Sequence, residues 1–184
     1  MEFGIKKEQC RIEEDEDQLC DCVRGFLRRF SQREAQQEDQ RSSYATLDLY
    51  VEGEDGKKVG VELKPYFIIF GSQGEAAFGQ ALLCKAREDV KKMFVAFPMS
   101  DRPEDTKKLV GPKTIGTIKK TLALLGEKVE IQDVSLKELN KLIYDKVYSS
   151  LGIGLLGIMG TVNKNEKFEL LGEDPVRELY PPSV

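Results

Sequence analysis

A chain of 184 residues can form one domain with a substantial core. With 40% apolar and 33% charged residues, its composition excludes an unfolded tail and describes a folded protein with a heavily charged surface. A net charge of −4 excludes a protein that merely coats nucleic acid, since counterion release needs many Lys and Arg against phosphates.

Leu19, Val23, Phe26, Leu27 and Phe30 recur at spacings of three and four, which predicts a first helix over about residues 15–33. Its start is crowded with Glu13, Glu14, Asp15, Glu16 and Asp17, as the positive end of a helix dipole favours. A Gln-rich loop follows over 34–43. From Tyr44 the period changes to two through Val51, predicting a half-buried strand. The Asp55-Gly56 turn and a returning strand over 59–67 complete a hairpin. The apolar run 66–70 reads as a third extended segment.

Ser72 and Glu75 have capping-box spacing, predicting a second helix over about 75–91, followed by a buried strand over 93–97 bounded by Pro98. Ile115, Ile118, Leu122 and Leu125 predict a helix closing at Gly126, with a strand over 128–134 after it. Ser135 and Glu138 open a further helix to about 149. Residues 152–162 and 167–171 predict a terminal hairpin, and Pro181 and Pro182 a loose tail. The glycines at 152, 154, 157 and 160 lack the context of a phosphate-binding loop and suit a strand, and Gly152 to Leu156 are expected to cover the sheet or build a dimer surface.

The whole, residues 1–184, is expected to be a single mixed α/β domain, with a core over about 13–134 and a C-terminal helix and β-hairpin over about 135–172. The apolar run 152–160 is far shorter than the roughly 20 residues that cross a bilayer, and the N-terminus is acidic, so a cytoplasmic location is expected. Cys10, Cys20, Cys22 and Cys84 form no CxxC pair and the chain has no His, which argues against zinc and a disulfide framework.

Asp48 on the first hairpin strand and Glu62 on the second can reach one divalent cation. Hard carboxylate oxygens suit Mg²⁺, with Mn²⁺ as a substitute, and Mg²⁺ uses one or two carboxylates beside water and substrate phosphate. Lys64, two residues after Glu62, shares its strand face and can orient a water or offset charge in a phosphoryl transition state. Val61 and Leu63 alternate with them toward the core.

In the order helix, acid, hairpin, ExK triplet and second helix, the chain resembles the PD-(D/E)XK nuclease superfamily, the restriction-endonuclease-like fold. The resemblance covers about residues 13–98. It implies an αβββαβ core with a mixed central sheet flanked by helices, Mg²⁺ held by Asp48 and Glu62, and Lys64 serving hydrolysis of phosphodiester bonds, in DNA by expectation. It also implies a metal-supporting carboxylate on the first helix, matched by Glu16 with Glu13 as fallback, and a supporting Gln80. RecB-type members carry a Tyr four residues after that Gln, where this chain has Cys84. Leu47 stands where the motif's name has Pro, and no Cys follows Cys84 to ligate an iron–sulfur cluster.

Residues 56–126 carry 13 basic and 7 acidic side chains, so positive charge gathers around these motifs. Lys57 and Lys58 at the hairpin tip, and Lys85, Arg87, Lys91 and Lys92 around the second helix, are the expected phosphate contacts. A homodimer would present one site to each strand of a duplex. The alternative is a non-catalytic nucleic-acid-binding or assembly protein that retains the nuclease fold.

Overall fold

A computed structural model describes residues 1–13, 16–38 and 45–183; the side chains of 16–18 and 132 are also outside the described set. The chain is mixed α/β, with a curled mixed sheet flanked by helices. Two short N-terminal strands, β1 (Glu2–Phe3) and β2 (Ile5–Lys6), precede β3 (Arg11–Ile12) and helix α1 (Glu16–Leu27). Strands β4 (Leu49–Glu52) and β5 (Lys58–Leu63) lead to α2 (Ser72–Lys85) and β6 (Val90–Met99). Helices α3 (Pro103–Leu109), α4 (Pro112–Leu124) and α5 (Leu136–Ile143) come next, then β7 (Gly154–Val162), β8 (Phe168–Leu170) and β9 (Val176–Tyr180). No described helix is long and apolar enough to cross a membrane.

The seven-stranded sheet runs β1-β8-β7-β6-β5-β4, with β9 also paired to β7. Its middle is parallel, β5 to β6 to β7, and both flanks are antiparallel. Register decides which helix covers which face. Val61 lies beside Phe94, whose ring meets Phe26 of α1 edge-on, so that face belongs to α1. Glu62 lies beside Val95, on the same face as Phe97, which stacks on Phe78 of α2.

Leu19, Val23, Phe26 and Leu27 are buried at the predicted helical spacing, but α1 ends at Leu27, where Phe30 turns back to pack against Phe26. The antiparallel β4–β5 hairpin forms with its turn at residues 53–57. The run 66–70 is not a sheet strand; Tyr66 makes an isolated bridge to Arg11. Between α1 and α2 the described residues give two sheet strands and one further bridge, Gln36 to Tyr50, which is less than the expected three strands.

Gly71 caps α2 at φ +84, a conformation suited to glycine, so Ser72 becomes the first helical residue and the expected capping box does not form. The box at Ser135 and Glu138 does form. The helix stops at Lys85, before the β-rich run that opens β6. Strand β6 continues through Pro98: the Ala96 carbonyl accepts from Lys64 N, so residue 98 faces the same edge, where β5 has already ended at Leu63. The missing N–H therefore costs no ladder bond there.

Residues 128–134 form no strand; a 3-10 turn, Ile131–Asp133, buries Ile131, and the Val134 carbonyl accepts from the Thr106 hydroxyl of α3. The sequence reading also missed α3, although Pro103 followed by Glu104 and Asp105 is a helix-start pattern. After α5 the chain continues through a π-helical turn, Tyr144–Tyr148.

The terminal hairpin is present, but β7 is an interior strand with Gly154 to Leu156 buried between β6 and β9, so these residues offer no dimer surface. Residues 176–180, given no element from the sequence, form β9, and beyond it Pro181 and Pro182 lie outside any element with Pro182 buried. Glycine is needed in β7 for close approach: a Cβ at Gly160 would strike the Phe168 ring and the Glu169 carbonyl. Gly160→Val is expected to cost about 1–3 kcal/mol through overpacking and to lower the thermal midpoint by several degrees in calorimetry.

Candidate active site

Asp48 stands one residue before β4, and Glu62 lies near the end of β5. Leu49 pairs with Val61, so the next step outward sets Asp48 opposite Glu62. The Asp48 Oδ2 accepts a 2.8 Å hydrogen bond from the Leu63 amide, the peptide that follows Glu62. The carboxylate thus extends the hairpin one step beyond its last paired residues.

Lys64 Nζ lies 2.7 Å from Glu62 Oε1. The lysine side chain is 13% exposed and that of Glu62 only 1%, whereas Asp48 is half-buried. Alternation holds Val61 and Leu63 in the α1-side core, both fully buried. Glu62, though charged, is nearly as deep, because α2 covers its face. The sequence pattern carried the orientation of these residues but not that depth.

Cys84 of α2 reports on the same neighbourhood. Its thiol donates to the Thr46 carbonyl at 3.4 Å. Burial first, then the charges of Glu62 and, more weakly, Glu38 and Asp48, push this thiol up to about 12. It is therefore a neutral thiol near pH 7 rather than a thiolate ligand. The donor set around Asp48 and Glu62 is hard oxygen, which fits Mg²⁺ or Mn²⁺ and not a soft ion. Among the described residues no group of three His, Cys, Asp or Glu side chains is arranged to hold a metal. A two-carboxylate site needs no third protein ligand, since Mg²⁺ retains water.

The Glu16 carboxylate lies outside the described side chains. The fallback, Glu13, is exposed, donates its amide to the Gly4 carbonyl and lays its side chain against Gly4, in the N-terminal segment rather than on α1. Gln80 is exposed on α2, one turn before Cys84. Lys85 is committed elsewhere: its ammonium donates to the carbonyls of Gly152 at 2.7 Å and Leu151 at 3.4 Å. Lys57 donates to the Glu88 carbonyl at the hairpin tip.

Lys58 belongs to an ion cluster that sequence reasoning did not find. Its ammonium is 2.7 Å from Glu38 and 2.9 Å from Asp89. Arg87 spans both Glu38 oxygens, at 2.6 and 2.8 Å, and also reaches Asp89. Hydrogen bonds from Arg87 first, opposed by burial and aided by Lys58 and the Leu47 amide, lower the Glu38 carboxyl from 4.5 to about 2. Asp89 is lowered as well, chiefly by Arg87. No local spacing announces this cluster, because Glu38 is 49 residues from Arg87.

A cleft of about 900 Å³ among the described residues lies away from the carboxylates. It lies between the end of α1 and the hairpin turn, lined by Arg28, Arg29, Phe30, Arg33, Asp55 and Lys91. That is on the order of 15–20 Å along the hairpin from Glu62. Arg29, Arg33 and Lys91 there are paired with Asp174, Glu52 and Asp55. Asp48, Glu62 and Lys64 do not line this cleft.

Two outcomes follow from this geometry. Lys64→Met leaves Glu62 buried without its ammonium and is expected to cost about 3 kcal/mol in urea unfolding, much of it recovered in the Glu62→Gln/Lys64→Met double variant. Equal loss in both variants would contradict the pairing. A carboxyl lowered in the folded state contributes stability above its unfolded value, and that contribution is lost as pH falls from about 4.5 toward 2. Glu38→Gln is expected to flatten this acid limb in a pH series of thermal midpoints.

Comparison of the chain with protein-family models, with curated proteins and with solved structures gives no match to any of them.

Proposed function

We propose that this protein is a Mg²⁺-dependent nuclease that hydrolyses phosphodiester bonds, with DNA as its substrate. The observation that carries the reading is the Asp48 carboxylate bonded at the Leu63 amide, directly beside the Glu62–Lys64 pair. The Glu62–Lys64 pair, with Asp48 opposite Glu62 in the hairpin register, supports the reading by its place at the carboxyl end of a parallel strand, the edge where open α/β sheets bind ligands.

Asp48 and Glu62 would hold the cation. When bound, it supplies Lewis acidity to a phosphate oxygen and lowers the pKa of water. Lys64 would do the remaining polar work: its ammonium, held by Glu62, would hydrogen-bond the attacking water or a non-bridging phosphate oxygen. Half-buried Asp48 and Lys64 form the rim that substrate meets, while Glu62 stays shielded behind them. That shielding keeps the local dielectric low and strengthens each charge interaction. Of the basic side chains around α2 and the hairpin turn, Lys58, Arg87 and Lys91 are in ion pairs and Lys57 and Lys85 donate to backbone carbonyls, so substrate positioning falls chiefly to the rim.

The depth of Glu62 favours a second reading. A carboxylate 1% exposed and held by a lysine also serves as a structural ion pair, and the chain would then bind nucleic acid, or an assembly partner, without cutting.

Cleavage of duplex, single-stranded and branched DNA with Mg²⁺ or Mn²⁺ separates the readings. Wild type is expected to cut at least one form, Asp48→Ala to lose at least about 1000-fold in rate, and Lys64→Ala about 100-fold or more. Cutting that survives both substitutions would defeat the assignment, and binding without cutting by wild type supports the second reading.

A further inference from the structure

Asp48 carries the site, yet it lies outside the regular strand: β4 opens at Leu49, paired with Val61. Its place depends on how the chain approaches it, and each of the three preceding residues is held by a side chain from elsewhere. The Ala45 carbonyl accepts from Arg87 Nη1 at 2.8 Å. The Thr46 carbonyl accepts from the Cys84 thiol at 3.4 Å. The Leu47 amide donates to Glu38 Oε2 at 3.1 Å, and the Leu47 carbonyl accepts from the Glu38 amide at 3.2 Å.

We propose that Glu38, Cys84 and Arg87 are positioning residues for Asp48, forming a clamp that sets its carboxylate at the Leu63 amide. The catalytic meaning of this inference rests on the reading of Asp48 as a metal ligand; the clamp itself rests on geometry alone.

Arg87 ties the clamp together. Its guanidinium forks across both Glu38 oxygens while a further bond reaches Ala45, so two separate segments are fixed to one planar group. Lys58 and Asp89 anchor that group to the start of β5 and to the turn before β6. Cys84 and Arg87 flank the end of α2, so the helix covering Glu62 also carries two of the three grips on Asp48's approach. Leu47 is seated at the same time, its side chain occupying the space a Cβ would take at Gly60.

A segment held at three successive residues has little freedom to slide, and a shift of about 1 Å in a reacting group costs on the order of 100-fold in rate. None of the three residues is required to touch substrate or cation. Their contribution is to the location of one carboxylate.

The test uses the full-length protein and reads two quantities, amide hydrogen exchange at Leu63 and the separate kcat and KM of cleavage. Arg87→Met and Cys84→Val remove grips; Cys84→Ser keeps a donor toward Thr46 and is the conservative control. Both disrupting variants are expected to speed Leu63 exchange by about tenfold relative to Val95 and Leu155, with Cys84→Ser near wild type. The kcat is expected to fall by about 100-fold in Arg87→Met, with KM unchanged. Should Arg87→Met fail to fold, the Cys84 pair decides. Leu63 exchange that stays at the wild-type rate in the disrupting variants overturns the clamp, whatever the cleavage rate. Faster exchange in a protein whose wild type cuts nothing upholds the clamp and removes the nuclease reading.

Discussion

The Glu62 carboxylate lies on the α2 face of the sheet with 1% of its surface exposed, and a carboxylate so far from water needs compensating charge and hydrogen bonds. Lys64 provides the charge from the same strand at 2.7 Å. The neighbouring peptide provides the next link, since Leu63 N–H is taken by Asp48 rather than by a continuing strand. A second acid thereby lies one step along the hairpin, opposite the first. Burial and ion pairing are two consequences of one arrangement.

The arrangement depends on the sheet. Strands β5, β6 and β7 run parallel, and their carboxyl ends share an edge where Lys64, Ser100 and Val162 emerge. Strand β5 stops at Leu63 while β6 continues, and the Lys64 amide donates to the Ala96 carbonyl of β6. Elsewhere the same edge is closed by buried polar ties. Asp105 accepts from the Ser100 hydroxyl and the Val162 amide, and Asn140 pins the backbone at Phe67 and Ile69. The Asn140 contacts hold the loop between Lys64 and α2 in place.

Much of this was legible from local pattern. The period of two around Asp48 and Glu62, the Asp55-Gly56 turn and the three-four spacing of α1 all correspond to elements, because each reflects burial of one face. The Ser135–Glu138 box forms because Ser135 stands at the N-cap with extended backbone, whereas the equally spaced Ser72 lies inside its helix. What escaped the sequence is set by distant pairing. The run 66–70 is as apolar as a strand, yet it packs as a loop pinned by Asn140. Residues 128–134 look extended but cover α3. Tail residues 176–180 become β9 only because β7 presents an edge to them. At the site, strand period placed Asp48, Glu62 and Lys64 on one face, whereas the depth of Glu62 and the Glu38–Arg87 cluster arise from α2 folding back over the hairpin. Lys58 and Lys85, basic in composition, are drawn into internal pairing for the same reason.

The central claim is that Asp48 and Glu62 jointly form a site for a divalent cation, and it is open to measurement without any substrate. Titration of the full-length protein with Mn²⁺, followed by electron paramagnetic resonance of the free ion, counts sites and gives affinity. The account predicts one site per chain in wild type and a loss of at least about tenfold in affinity in each of Asp48→Asn and Glu62→Gln, since each removes an anionic oxygen ligand. Wild-type affinity that is absent, or that persists unchanged in both variants, would contradict it.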